Sequence, residues 1–200
     1  MSEQDKSCQF IATEISAHGV CVYRDFLSRA EVAGLRTEIS SLQNTGRFRQ
    51  AGIGHEKTAI LESEIRGDSI CWFEPSELLT GQAQLWHKLA ELKSVINREL
   101  FLGLWDLEGH FAVYAPGAFY KRHRDSFEAN NRRVFTVVIY LNQDWQPADG
   151  GILQLYLPDA TTTVEPKAGT LVCFLSDQIE HEVLPAHRER MSFTGWFRRR

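Results

Sequence analysis

Val134-Phe135-Thr136-Val137-Val138-Ile139-Tyr140-Leu141 is an unbroken run dominated by β-branched and aromatic residues. Its length suits a strand, and these side chains pack well on a pleated surface. Working outward from it, further short runs lie at Gly19 to Tyr23, Ile70 to Phe73, His110 to Tyr114, Ile152 to Tyr156, Thr161 to Glu165, Thr170 to Leu175, His181 to Leu184 and Arg190 to Phe197. Ala115-Pro116-Gly117, Asp149-Gly150-Gly151, Leu157-Pro158-Asp159 and Lys167-Ala168-Gly169 punctuate them with turn chemistry. Two amphipathic helices precede most of these strands. The first opens at Ser28 with Glu31 three positions on, a capping-box pattern, and carries Val32, Leu35, Ile39 and Leu42 on one stripe. The second, roughly Gln82 to Leu100, repeats the stripe with Leu85, Leu89, Leu92 and Ile96. Helices that brace one face of many short strands predict an α+β fold, a double-stranded β-helix or jelly-roll barrel. Helical support is expected over about 25–105 and the barrel core over about 106–198.

The chain has 200 residues, 43% of them apolar, which suits one sizeable core and a single domain over 1–200. A formal net charge of -4 and a pI near 6.0 argue against a general nucleic-acid binder. Arg198, Arg199 and Arg200 form a local basic end, read as a solubilising terminus. Met1 to Lys6 are polar, and no run reaches the roughly 20 apolar residues that cross a bilayer, so a cytoplasmic protein with no membrane partner is expected. Cys8, Cys21, Cys71 and Cys173 are widely spaced, as suits reduced core thiols, and no CxxC pair offers a zinc site.

In an extended segment, residues i and i+2 point to the same side, so His123 and Asp125 can present an imidazole and a carboxylate together. A second histidine would complete a facial triad that leaves open positions on iron(II) for a chelating co-substrate and dioxygen. His181, at the start of an apolar strand, is the best candidate, with His187 in a polar turn as its rival. His110 reads as a packing histidine, and His18, His55 and His87 as surface residues. Arg190 begins a strand whose alternate positions Arg190, Ser192, Thr194 and Trp196 share one face. A buried arginine requires an anionic partner, and its planar fork suits a carboxylate. The alternative is a salt bridge to Asp177, Glu180 or Glu182.

The ordered set Tyr114-Ala115-Pro116-Gly117, Tyr120, His123-x-Asp125, Thr136 to Asn142, Asp144-Trp145, Gly150-Gly151, Val164 to Lys167, His181-Glu182-Val183 and Arg190 resembles the prolyl 4-hydroxylase branch of the iron(II)- and 2-oxoglutarate-dependent oxygenases. With Ile65 to Trp72, the match is to hypoxia-sensing prolyl hydroxylases and their bacterial relatives, over roughly 64–197. The resemblance implies that His123, Asp125 and His181 hold iron(II), and that Arg190 anchors 2-oxoglutarate with Tyr140 as a second donor. It also implies that Thr136, Tyr114 and Thr194 line the same pocket and that Trp196 walls the substrate side. Tyr114 also reads as a core aromatic. Dioxygen is the oxidant, ascorbate a candidate reductant, and a protein or peptide with a target proline the implied partner. A small-metabolite hydroxylase, a non-catalytic jelly-roll binding module and a cupin-like metal enzyme remain alternatives. The stretch Ala51 to Glu64 reads as more compact than the substrate-covering loop of the hypoxia sensors. The sequence carries no signal of an oligomeric state.

Overall fold

The computed structural model describes residues 3–52, 64–126 and 132–200. Most of the stretch Ala51 to Glu64, His55 included, lies outside these residues, and the compact-loop reading lies there with it. Three helices precede the main run of strands: α1 (Glu3–His18), α2 (Arg29–Asn44) and α3 (Thr80–Leu100). The strands are β1 (Val20–Tyr23), β2 (Arg49–Gln50), β3 (Asp68–Trp72), β4 (Asp106–Tyr114), β5 (Tyr120–His123), β6 (Arg133–Tyr140), β7 (Leu153–Tyr156), β8 (Thr161–Val164), β9 (Leu171–Leu175), β10 (Glu180–Val183) and β11 (Arg190–Arg198).

Helix α1 corrects the expectation of two helices beginning near residue 25. Its stripe is Cys8, Ile11, Ala12 and Ile15, all buried, at helical spacing. Among polar neighbours these four small or aliphatic residues make a weak amphipathic signal, and packing on the sheet supplies what propensity does not. The other two helices follow their sequence signals. Ser28 accepts from the Glu31 amide at 3.3 Å while the Glu31 carboxylate accepts from the Ser28 amide at 2.7 Å, closing the capping box of α2.

The strands form two antiparallel sheets. The large one runs β1-β9-β6-β11-β4-β3-β2 and the small one β5-β10-β7-β8, the arrangement of a jelly roll. Side-chain alternation divides each central strand between two environments. From β6, Phe135, Val137 and Ile139 join the helical core; from β11, Met191, Phe193 and Phe197 do the same. The opposite alternation, including Val138 and Tyr140, faces the small sheet and packs with Leu153, Leu155 and Val183. Burial on both faces explains why 134–141 reads as a continuous apolar run. Gly109 and Gly195 are paired across β4 and β11, and a Cβ at either would stand 2.5 to 2.8 Å from the Phe193 ring. The two glycines let that ring lie flat against the sheet.

All four cysteines are buried and free. Among the described residues, no helix is long and apolar enough to cross a membrane. The basic end is more structured than a solubilising tail: Arg198 bonds to Asp106 and Glu108, and the Arg200 guanidinium lies 3.5 Å from the Trp105 ring centre.

Candidate active site

Between the sheets is a cavity of about 510 Å3. Its lining includes His123, Asp125 and His181 at one place and Arg190 with Tyr114 at another. Strand pairing produces the first group. Residues His123 of β5 and His181 of β10 are direct cross-strand partners, so their rings meet with centroids 4.2 Å apart. Asp125 follows β5 by two residues and joins them on the same side. One ligand atom from each of the three lies within 4.8 Å of the others.

Each donor is held in a state suited to a cation. Nδ1 of His123 is 2.8 Å from the Lys121 carbonyl, and Nδ1 of His181 is 3.3 Å from the Ile179 carbonyl. A carbonyl fixes the proton on Nδ1, which leaves the Nε2 lone pair for a metal. Burial holds His181 down at about 4, so its ring is neutral near pH 7. Burial would raise Asp125, but His181 and His123 beside it hold the carboxyl well below its usual range. Each Asp125 oxygen lies 3.6 Å from a histidine Nε2, too far for a hydrogen bond. Two imidazole Nε2 atoms and one carboxylate converging on one place fit a divalent transition metal.

Thr136 belongs to this group. Expected beside Tyr140 on the co-substrate side, it instead donates its hydroxyl proton to Asp125 Oδ2 at 2.9 Å. That proton being committed, Ser176 must supply the one in the 2.8 Å bond between the two hydroxyls. Ser176, fully buried, carries no sequence signal of its own. Tyr120 stacks on His123 at 3.6 Å and 14°, with the Arg66 guanidinium 4.2 Å from the far ring's centre. Arg66 is itself bonded through two nitrogens to Asp68, which is fully buried.

The second group centres on Arg190, which is 1% exposed. Its guanidinium carbon sits 4.9 Å from the Tyr114 ring centre and 5.1 Å from that of Tyr140, and its Nε donates to the Gly151 carbonyl at 2.9 Å. Of the salt-bridge candidates, Glu180 holds Arg122 and Glu182 accepts from the Tyr156 hydroxyl. Burial pushes Tyr140 up to about 12 despite the lowering effect of Arg190, so its hydroxyl is a neutral donor. That hydroxyl is buried with no hydrogen-bond partner among the described residues. A buried cation beside an unpaired donor fits a carboxylate. Gly151 has φ +61°, and a Cβ there would stand 2.9 Å from Arg190 Cδ. Gly151 therefore makes room for the arginine.

Five alternate residues of β11, Arg190, Ser192, Thr194, Trp196 and Arg198, line the cavity in a row. Trp196 is buried under the Arg133 guanidinium, whose carbon is 3.7 Å from the indole ring. His187 is exposed, with Nδ1 2.8 Å from the Ala148 carbonyl, and stands outside the donor cluster. His18 and His87 are exposed. His110 is buried as expected but also lines the cavity, a placement its lack of a nearby carboxylate concealed. Trp72 and Arg133 line it too, and only the face alternation of their strands could have signalled this.

The sequence profile of the 2OG-Fe(II) oxygenase superfamily matches residues 109–198. Egl nine homolog 1 of Rattus norvegicus is 32% identical over 94% of this chain and 58% of its own length, and the human protein of that name is 31% identical over 94% and 46%. The chain thus spans about half the length of the curated relatives it matches. The crystal structure of a Pseudomonas putida prolyl-4-hydroxylase is 42% identical, with a TM-score of 0.88 over 96% of this chain and 99% of that one. A Trichoplax adhaerens prolyl hydroxylase in complex with a hypoxia inducible factor peptide fragment is 25% identical, with a TM-score of 0.89 over 98% and 90%.

Proposed function

The chain belongs to the 2-oxoglutarate- and iron(II)-dependent oxygenase superfamily, and from that premise we propose that it hydroxylates a prolyl residue in a protein or peptide, with release of succinate and carbon dioxide. The observation that carries the reading is the pairing, in one cavity, of a His-Asp-His donor cluster with a buried arginine that has no carboxylate partner among the described residues. The prolyl substrate rests on the likeness to prolyl hydroxylases from Pseudomonas putida and Trichoplax adhaerens. Such a binding site would act as one catalytic domain over 1–200, in the cytoplasm.

In this reading His123, Asp125 and His181 hold iron(II) through two Nε2 atoms and a carboxylate oxygen. Bound iron supplies the activation of dioxygen coupled to oxidation of 2-oxoglutarate, with ascorbate as a candidate reductant. Arg190 receives the distal carboxylate of the co-substrate, and Tyr140 donates its hydroxyl proton to the same group. Tyr114 and Tyr140 flank the guanidinium and keep water from its faces, so the carboxylate competes with little solvent for it. Thr136 and Ser176 keep Asp125 turned toward the two histidines. Thr194 and Trp196 line the wall past which the substrate enters. A prolyl ring arrives with its backbone angle already restricted, which lowers the entropic cost of placing it.

The test is anaerobic loading with iron(II) and 2-oxoglutarate, then oxygen exposure in the presence of proline-containing peptides, free amino acids and the host's soluble proteome. Mass spectrometry should find one added oxygen on a prolyl residue, with stoichiometric succinate. Oxygen added only to free metabolites would replace the prolyl reading with the small-molecule one. No succinate under any condition would support a binding module.

A further inference from the structure

His110 sits in β4 with its ring packed against two tryptophans that also touch each other, centroids 4.7 Å from Trp72, 5.3 Å from Trp196 and 6.1 Å between the indoles. The residue is 3% exposed, yet it lines the cavity together with those two rings, Val138 and Thr194. Burial, with Arg66 and Arg133 in the vicinity, holds it well below its ordinary value of 6.5; Asp125 opposes them. The ring is therefore neutral near pH 7, with one N–H and one bare nitrogen. Nδ1 is buried and has no hydrogen-bond partner among the described residues. An unpaired acceptor is better tolerated in a protein interior than an unpaired N–H, so the proton belongs on Nε2, the nitrogen left to meet a ligand.

A phenyl ring would fill the same space against the tryptophans without leaving a polar atom unsatisfied, so packing alone does not account for an imidazole here. Position separates its ligand from the co-substrate. His110 pairs with Thr194 and Tyr114 pairs with Arg190, so His110 is four residues along the strand from the carboxylate anchor. That is roughly 13 Å at the rise of a β-strand, further than a five-carbon diacid spans.

We propose that His110 is a specificity-determining residue whose Nε2–H donates to an oxygen acceptor on the substrate. This rests on the oxygenase reading; with a prolyl substrate, the acceptor is a main-chain carbonyl next to the ring to be oxidised. Losing a net hydrogen bond of this kind raises a KM by about tenfold.

The test uses the full chain loaded with iron(II) and 2-oxoglutarate, and blocked proline-containing peptides as probes. His110→Phe keeps the aromatic packing and removes the donor; His110→Gln restores a donor. The KM for the peptide should rise about tenfold in His110→Phe and return to within about threefold of the parent in His110→Gln, with the KM for 2-oxoglutarate moving less than twofold in both. A peptide KM unchanged in His110→Phe, or raised equally in both variants, would overturn the proposal. If the parent enzyme oxidises a free metabolite and no peptide, the prolyl reading falls while the same pair of variants decides the donor role on that metabolite.

Discussion

The two sheets differ in what they contribute. The small sheet carries both histidines of the donor cluster on neighbouring strands, and His123 keeps 15% of its side chain exposed. The large sheet, covered by helices on one face, carries Arg190 at 1% exposure and the wall that ends in Trp196. A metal centre must admit substrate and dioxygen, whereas a carboxylate anchor gains strength from the exclusion of water. The partly exposed donor lies on the thin sheet and the buried arginine on the braced one.

The largest effect should come from breaking the small-sheet side. His181→Ala or Asp125→Ala should abolish succinate formation and lower iron content, measured by metal analysis, because a facial site cannot lose a donor and keep its geometry. His187→Ala, on an exposed turn away from the cluster, should leave both unchanged. Iron lost in His187→Ala but kept in His181→Ala would reverse that assignment.

On the large-sheet side, Arg190→Met should weaken 2-oxoglutarate binding about tenfold to a hundredfold, the worth of a charge-assisted bond of roughly 1.5 to 3 kcal/mol. Metal loading should survive. Gly151→Ala should act in the same direction, since its Cβ would stand 2.9 Å from Arg190 Cδ at a backbone angle that alanine resists. Calorimetry of 2-oxoglutarate binding to the metal-loaded protein separates both from a metal defect.

Thr136 joins the two sides, reaching from the large sheet to Asp125. Thr136→Val keeps the shape and removes the proton donor, so metal affinity should fall about tenfold to a hundredfold, read by metal titration. An unchanged metal affinity would mean that the sheets supply their parts independently.

The smallest effect lies far from both. Ser28→Ala should lower stability by about 1 kcal/mol in denaturant titration without changing either affinity. Burial would raise the Glu31 carboxyl, but Lys88 and Ser28 outweigh it and hold it below 4.5. A carboxyl lowered on folding stabilises above its unfolded value and loses that contribution as pH falls through the folded one. The capping box should therefore weaken below about pH 4.5, and Glu31→Gln should flatten that part of the stability profile.

The order of short strands, the capped helix at Ser28 and the pairing of Arg190 with Trp196 on one face were legible because each rests on local periodicity or on contacts three or four residues apart. His123-x-Asp125 was legible for the same reason. Helix α1 was not, since its four-residue stripe becomes persuasive only against the sheet that covers it. The meeting of His181 with His123 across 58 residues was decided by β5–β10 register, and the commitment of Thr136 to Asp125 by which inner-face atoms lie opposite each other. His110 shows the limit most clearly. Its neighbours in the chain mark it as a packing residue, while Trp72 and Trp196, brought from strands distant in sequence, pack it into the cavity wall. Local sequence determines which way a side chain faces along its own strand; what it faces is set by register between strands, which only the tertiary structure holds.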